Sequence, residues 1–194
     1  MQSAKVKYSI KHKLILLSMV VAVPFLVMVI YLIYALYTYS NAYDNIVSNM
    51  TVANNYNLNF KEEMDESLYK LVVGYVTFET VGEDKSLKDP YVLLDELRSE
   101  FGNLMSITSD GESRAWLQIL MRNIDTLDAR VDDIKANLEN GKSYDVNIEM
   151  LDNNIYIMTE LIQDNIQSYI YYQTKSMEHL TEQLNAKVHT FTIF

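Results

Sequence analysis

Asparagine and tyrosine side chains are concentrated in two stretches, residues 54–60 and 165–172, which we expect at one level of a helical domain. An aromatic-lined gap with a few amide groups is typical of sites that hold a small molecule. An arginine nearby could bind a carboxylate through two parallel hydrogen bonds. The alternative is that these residues only close a layer of the core or form a contact between two copies. The candidate ligand-binding residues are Tyr56, Asn57, Arg114, Trp116, Asn165, Tyr169 and Tyr172.

The sequence offers no motif for catalysis, a metal or a cofactor. We interpret His12, His179 and His189 as solvated or interfacial side chains. Neither a glycine-rich phosphate loop nor an H-E-x-x-H pair occurs. The carboxylates within 62–66 and 128–133 fall on polar helix faces, where a solvated surface is the better interpretation. We therefore predict no catalytic residue, no metal site, no cofactor and no enzyme activity within this chain.

One long apolar stretch determines where these side chains can lie. Residues 14–43 carry no charge, and a membrane-spanning helix needs only about 20 mostly apolar residues. Lysines precede this stretch, and all 26 acidic residues follow it. Because positive charge stays on the cytoplasmic side, we expect a cytoplasmic N-terminus and an extracytoplasmic domain at the plasma membrane. A cleaved signal peptide is the competing interpretation, but its apolar region would be only about 7–15 residues long.

Charge and cysteine content narrow the classes of partner. The formal net charge is −10, which disfavours binding to nucleic acid or to anionic lipid. The chain has no cysteine, so a disulfide-stapled fold is excluded. The lipid bilayer around the apolar helix is the partner that the sequence predicts directly.

Helical periodicity and breaker residues predict an all-α domain. Apolar residues recur at helical spacing from Ser40 to Thr80, which we assign to a first helix that continues out of the membrane. Asp89 followed by Pro90 suits the start of a second helix, which ends near Thr108.

Two further helices follow. Ser109 to Glu112 has the S-x-x-E pattern of a capping box, which predicts the start of a third helix. Gly141 suits a left-handed C-terminal position, and Asp145 can cap a fourth helix that runs to the end of the sequence.

The predicted lengths favour an elongated up-down-up-down four-helix bundle. The first helix outside the membrane and the last helix measure about 60 and 70 Å, whereas the middle two measure about 30 and 40 Å. The long pair would then extend beyond the bundle as a two-helix stem. Two helices alone bury little surface, so we predict a homodimer through this stem.

The uncharged residues 190–194 resemble the first turn of a second membrane span. The predicted organisation is a cytoplasmic segment (1–13), a transmembrane helix (14–39), an extracytoplasmic sensor bundle (40–189) and the start of a truncated second transmembrane helix (190–194).

Several segments resemble the input region of sensor histidine kinases from clostridial-type Gram-positive bacteria. They are KYSIKHKLILLSMVVAVPFLVMVIYL, SNAYDNIVSNMTVANNYNLNFKEEMDESLYKLVVGYVTF, LDNNIYIMTELIQDNIQSYIYYQTKSMEHLTEQL and VHTF. The resemblance implies a homodimeric two-component receptor with a second span, a HAMP linker, a phospho-accepting histidine domain and an ATPase domain downstream. None of those domains lies within these residues.

We therefore expect a signal-sensing region that relays a small-molecule or protein signal through its first and last helices to a cytoplasmic kinase. The alternatives are the ligand-binding region of a chemotaxis receptor, which has the same architecture, and a stand-alone membrane-anchored helical binding protein. The sequence does not identify the ligand.

Overall fold

A computed structural model describes residues 10–83 and 86–192, with side chains through residue 189. These residues are helical with short connections, and no strand occurs among them, which confirms the all-α class. Lys5, Lys7 and the last two residues of the proposed second span lie outside the described residues. The chain divides into two units, Met1–Asp44 and Asn45–Phe194.

The first unit contains the apolar part of helix α1, Ile10–Val72. By length and composition this helix could cross a membrane, and none of its most apolar window is buried. Pro24 lies within the helix. The expectation of one long apolar N-terminal helix is therefore confirmed.

Helix α1 ends at Val72, so the predicted continuation to Thr80 is wrong. Gly74 adopts a φ of +73°, a left-handed conformation that stops the helix. The Tyr75 N–H donates to the Lys70 carbonyl at 2.9 Å, and the Gly74 N–H donates to the Leu71 carbonyl at 3.1 Å. These two hydrogen bonds form a Schellman motif, which satisfies carbonyls that the helix end would leave unpaired.

Helices α2 (Pro90–Ile107) and α3 (Gly111–Glu139) begin with side-chain caps. Asp89 caps α2 as predicted, because its carboxylate accepts a hydrogen bond from the Tyr91 N–H at 2.8 Å. The predicted capping box at Ser109 is wrong: Asp110 is the cap of α3, and its Oδ2 accepts from the Ser113 N–H at 2.7 Å. Gly141 has a φ of +65°, which confirms the predicted left-handed end of α3.

The remaining helical residues follow one another from Tyr144. They form α4 (Tyr144–Met150), a π-helical turn (Leu151–Ile155) and α5 (Tyr156–Thr192). The residue at the N-cap of α4 is Ser143, and it makes no side-chain capping bond, whereas Asp145 lies inside the first turn. The predicted cap at Asp145 is therefore wrong. Both ends of the π-helical turn point inward, since Leu151 and Ile155 are fully buried.

The core of the second unit comes from one apolar stripe on each helix. Helical periodicity predicts most of this core. It also predicts a buried position at Ile119, but that side chain is 39% exposed, whereas Leu117 is fully buried. Helix α3 packs against α2 and α5. The principal core residues are Ala53, Phe60, Met64, Leu68, Leu71, Leu93, Leu97, Phe101, Leu117, Leu120, Ile124, Leu127, Val131, Ile134, Leu151, Ile155, Ile162, Ile166 and Tyr169.

Polar contacts between helices surround this core. On one side, the Arg98 guanidinium lies 2.8 Å from Asp128 and 3.3 Å from Asp125. On another, the Thr159 hydroxyl donates to Asp65 at 2.7 Å. These contacts join α2 to α3 and α1 to α5.

The choice of cap at α3 can be tested by substitution. Asp110→Ala should lower the free energy of unfolding by about 1 kcal/mol, because it leaves the Ser113 N–H without its acceptor. The matched control is Ser109→Ala, which removes an exposed hydroxyl one residue away and should change stability little. Thermal unfolding followed by circular dichroism measures both. A larger loss in the Ser109 variant would contradict the assignment.

Candidate functional site

An aromatic chain crosses the second unit at the level predicted for the ligand site. Tyr56 of α1 meets Phe101 of α2 edge-on, with ring centroids 5.8 Å apart. Phe101 in turn meets Tyr169 of α5 edge-on at 6.5 Å. Edge-on pairs of this kind stabilise the fold by more than the burial of the apolar ring surface alone. The sequence interpretation missed Phe101, although its place in the apolar stripe of α2 could have indicated it.

Tyr169 is fully buried, yet its hydroxyl has polar neighbours. It lies 3.4 Å from the Thr108 hydroxyl, at the end of α2. Burial raises the pKa of Tyr169, and hydrogen bonds to Thr108 and Asn49 oppose that rise. The phenol therefore stays protonated at neutral pH and acts as a hydrogen-bonding group in the core.

Amide side chains also occur on α1 and α5, and some are incompletely bonded. Asn165 is 2% exposed, and its Nδ2 has no partner in the part of the chain that the structure describes. The buried Oδ1 of Asn57 is likewise unpaired among these residues. The Gln163 side chain donates to the Asn57 carbonyl at 2.8 Å, which joins α5 to α1. Unpaired buried polar groups are uncommon and indicate a ligand, a water or a site kept for function.

Trp116 and Tyr172 form a separate group. Their rings stack with centroids 6.3 Å apart. The ammonium of Lys175 lies 4.8 Å from the Tyr171 ring centroid and 5.7 Å from that of Tyr172. Arg114 is exposed on α3. Trp116 and Tyr172 thus meet as expected, while Arg114 is placed on the surface.

Two adjoining cavities line the α1 side of the domain. The first, of about 330 Å³, lies between α1 and α2 and contains Tyr56, and the second, of about 310 Å³, extends toward the segment before α2. Of the predicted ligand-binding residues, Tyr56 alone lines either of these two cavities. The first is lined by Val52, Asn55, Tyr56, Asn59, Phe60, Glu63, Lys88, Leu93, Glu96 and Glu100, and the second by Asn59, Glu62, Glu63, Glu66, Ser67, Ser86, Leu87 and Lys88.

Negative charge dominates this pair of cavities. The Lys88 ammonium lies 3.1 Å from the Glu63 carboxylate, the one ion pair between lining residues that we identify in the described chain. Burial raises the pKa of Tyr56, and Glu100, Glu96 and Glu63 raise it further. All three carboxylates therefore act electrostatically on the Tyr56 hydroxyl. Sequence reasoning missed this convergence, because it assigned the carboxylates of α1 to a solvated face.

Metal binding has no geometric basis in residues 10–83 and 86–192. These residues contain no group of three or more histidine or acidic side chains that could hold a metal ion. His179 pairs instead with Gln183, at 2.9 Å between their nitrogen atoms.

No protein-family model matches the chain, and neither a curated protein nor a solved structure is similar to it.

The buried amide of Asn165 can be tested for its effect on stability. Asn165→Leu keeps the branching pattern of the side chain and removes an unpaired donor, so it should raise the free energy of unfolding by about 1–3 kcal/mol. Ile166→Leu, one residue away in the same core, is the matched control and should cost less than about 1.5 kcal/mol. Thermal or urea unfolding of the full chain in detergent measures both. A destabilised Asn165→Leu would contradict the inference and show that the amide is satisfied in solution.

Proposed function

We propose that this chain is the extracytoplasmic signal-sensing region of a two-component sensor histidine kinase, with no catalytic role of its own. The observation that carries the proposal is the composition of helix α1. The same helix contains a charge-free stretch able to cross a membrane and, farther along, core residues such as Phe60, Met64 and Leu68. Sequence segments that resemble the input region of such kinases support the same conclusion.

We propose an up-down-up-down order for the four helical stretches of the domain. Tyr56 meets Phe101 near the end of α2, whereas Glu63 meets Lys88 near its beginning, which supports opposite directions for α1 and α2. For the first and last helices, contacts from Asp65 to Thr159 and from Met50 to Thr174 support opposite directions in the same way. Such an order suits short connections between neighbouring helices.

We place the N-terminus (1–13) in the cytoplasm, a transmembrane helix at 14–39 and the sensor domain (40–189) outside the plasma membrane. The support is the charge distribution, since no acidic residue precedes the apolar stretch. In this topology α5 leads back toward the membrane, and residues 190–194 begin a second span.

The proposed mechanism is a shift of α5 along or around α1. The two helices meet through separate polar contacts: residues of α5 donate hydrogen bonds to Asp65 and to the Asn57 carbonyl, and the Thr174 hydroxyl lies 4.0 Å from the Met50 sulfur. Small helix shifts of this kind are an established way to transmit a signal.

The partner that we propose is a second copy of the chain. Beyond Gln173, three apolar residues of α5 are only half-buried within one chain, and two near the start of the domain behave alike. A second copy would cover them and form a four-helix stem. The residues are Ile46, Met50, Met177, Leu180 and Leu184.

The relay can be tested in the protein expressed from the complete gene. Three glycines inserted after Met177 should reduce signal-dependent phosphorylation about tenfold, because they interrupt α5 between the sensor and the membrane. The matched control inserts the same glycines between Lys142 and Ser143, outside the helices, and should retain the response. Retained signalling in the Met177 insertion would refute the relay.

The coding sequence past residue 194 decides between the three functions. A phospho-accepting histidine domain with ATPase motifs supports a kinase, and a long methylated coiled coil supports a chemotaxis receptor. A stop codon there would leave a stand-alone anchored binding protein.

The stem dimer can be tested by disulfide crosslinking, since the chain has no native cysteine. Met177→Cys and Leu184→Cys should form dimers on oxidation of native membranes, because a symmetric stem brings each residue close to its copy. Glu182→Cys, exposed on the same helix, is the matched control and should crosslink at least about fivefold less.

Equal crosslinking at all three positions would indicate random collision and contradict the stem. Glu182→Cys also reports topology, because an impermeant maleimide should label it in intact cells. Labelling only after lysis would overturn the proposed orientation.

A further inference from the structure

The two cavities between α1 and the start of α2 share Asn59, Glu63 and Lys88 in their walls. We call the pair the acidic groove. Its floor includes the buried apolar side chains Phe60 and Leu93. An occupant would therefore find charge at the rim and a hydrocarbon surface beneath it.

The rim carries five carboxylates and one ammonium group. Carboxylates recur about one helical turn apart on each wall. Glu62 and Glu66 are four residues apart on α1, and Glu96 and Glu100 are four residues apart on α2. At the helical rise, this spacing repeats negative charge about every 6 Å along the groove. A linear aliphatic polyamine carries ammonium groups at a similar repeat, joined by methylene segments that suit the apolar floor.

A second, independent feature points to an occupant. Ser67 lines the second cavity and is fully buried, and its hydroxyl has no hydrogen-bond partner among the described residues. A buried serine normally bonds to a carbonyl of its own helix or to a neighbour. Here the hydroxyl has no partner beside the groove, and a small displacement of the wall would let its oxygen accept a hydrogen bond from an ammonium group.

Lys88 shows that a primary ammonium fits the rim, since its Nζ already lies 3.1 Å from Glu63. A divalent metal fits less well, because the carboxylates are spread along the groove and no metal-ligand cluster forms in the described part of the chain. The charges are thus arranged for several separated cations rather than for one.

We propose that the acidic groove binds a linear aliphatic polyamine, with Glu63, Glu96 and Glu100 contacting its ammonium groups and Ser67 accepting a hydrogen bond. Lys88 acts as an internal competitor, which the ligand displaces from Glu63. This binding does not depend on whether the chain is part of a kinase.

The experiment is calorimetric titration of the full chain, in nonionic detergent, with spermidine. Glu63→Gln combined with Glu100→Gln should weaken binding at least about tenfold, because charge-assisted hydrogen bonds are lost. The matched control is Glu139→Gln combined with Glu149→Gln, which removes the same charge from exposed positions outside the groove and should change affinity less than about twofold.

Two single substitutions separate specific binding from general attraction. Ser67→Ala keeps the charge and should weaken binding about threefold to tenfold, since it removes only the buried acceptor. Lys88→Gln should tighten binding by more than Lys142→Gln, which changes net charge equally at a position outside the groove walls.

Each result decides the proposal. Saturable spermidine binding with this order of variants supports it. Absent binding, equal losses in the groove and control variants, or an unchanged Ser67→Ala variant would overturn it. Magnesium or a lysine-rich peptide that binds as tightly as spermidine at equal ionic strength would also overturn it, by showing a different ligand class.

Discussion

Helix α1 joins two stretches of different character, and the rest of the domain depends on burial of the second of them. Its charge-free stretch suits hydrocarbon, whereas its later turns carry an apolar stripe that must be buried by protein. Phe60, Met64 and Leu68 are covered because α2, α3 and α5 contribute matching stripes. Removal of these helices would expose the apolar stripe of α1 to water. The free-energy cost of that exposure is about 25 cal/mol for each Å² of apolar surface. The four helical stretches are therefore one energetic unit outside the apolar stretch.

Within that unit, a few buried polar atoms have no hydrogen-bond partner in the described residues. They occur at Asn57, Ser67, Ser113, Asn147 and Asn165. Asn57 and Asn165 lie on α1 and α5. Each such atom costs about 1–3 kcal/mol relative to a satisfied one. A domain that keeps them gives up stability, and such sites favour local rearrangement.

The sequence was informative where the signal is local. Asp89, Gly141 and the apolar stripes could be predicted because capping and periodicity depend on neighbouring residues. Ser109 and Asp110 are both good caps, and a choice between them depends on where the chain turns into α3, which the pattern does not specify. The acidic groove could not be predicted, since Glu63 and Glu100 lie on different helices and converge only when α1 packs on α2. The ligand residues predicted on α3 and α5 remain a prediction.

The acidic groove and the α1–α5 contacts share a helix, and this gives the two proposals a common physical basis. Carboxylates on both walls of the groove repel one another, and Lys88 neutralises only part of that charge. A bound polycation would remove the repulsion and favour closer packing of α1 on α2. Glu63 of α1 lies within one helical turn of Asp65, the acceptor of the Thr159 hydroxyl on α5. If tighter packing on one face of α1 shifts the contacts on its other face, ligand binding and the position of α5 are coupled.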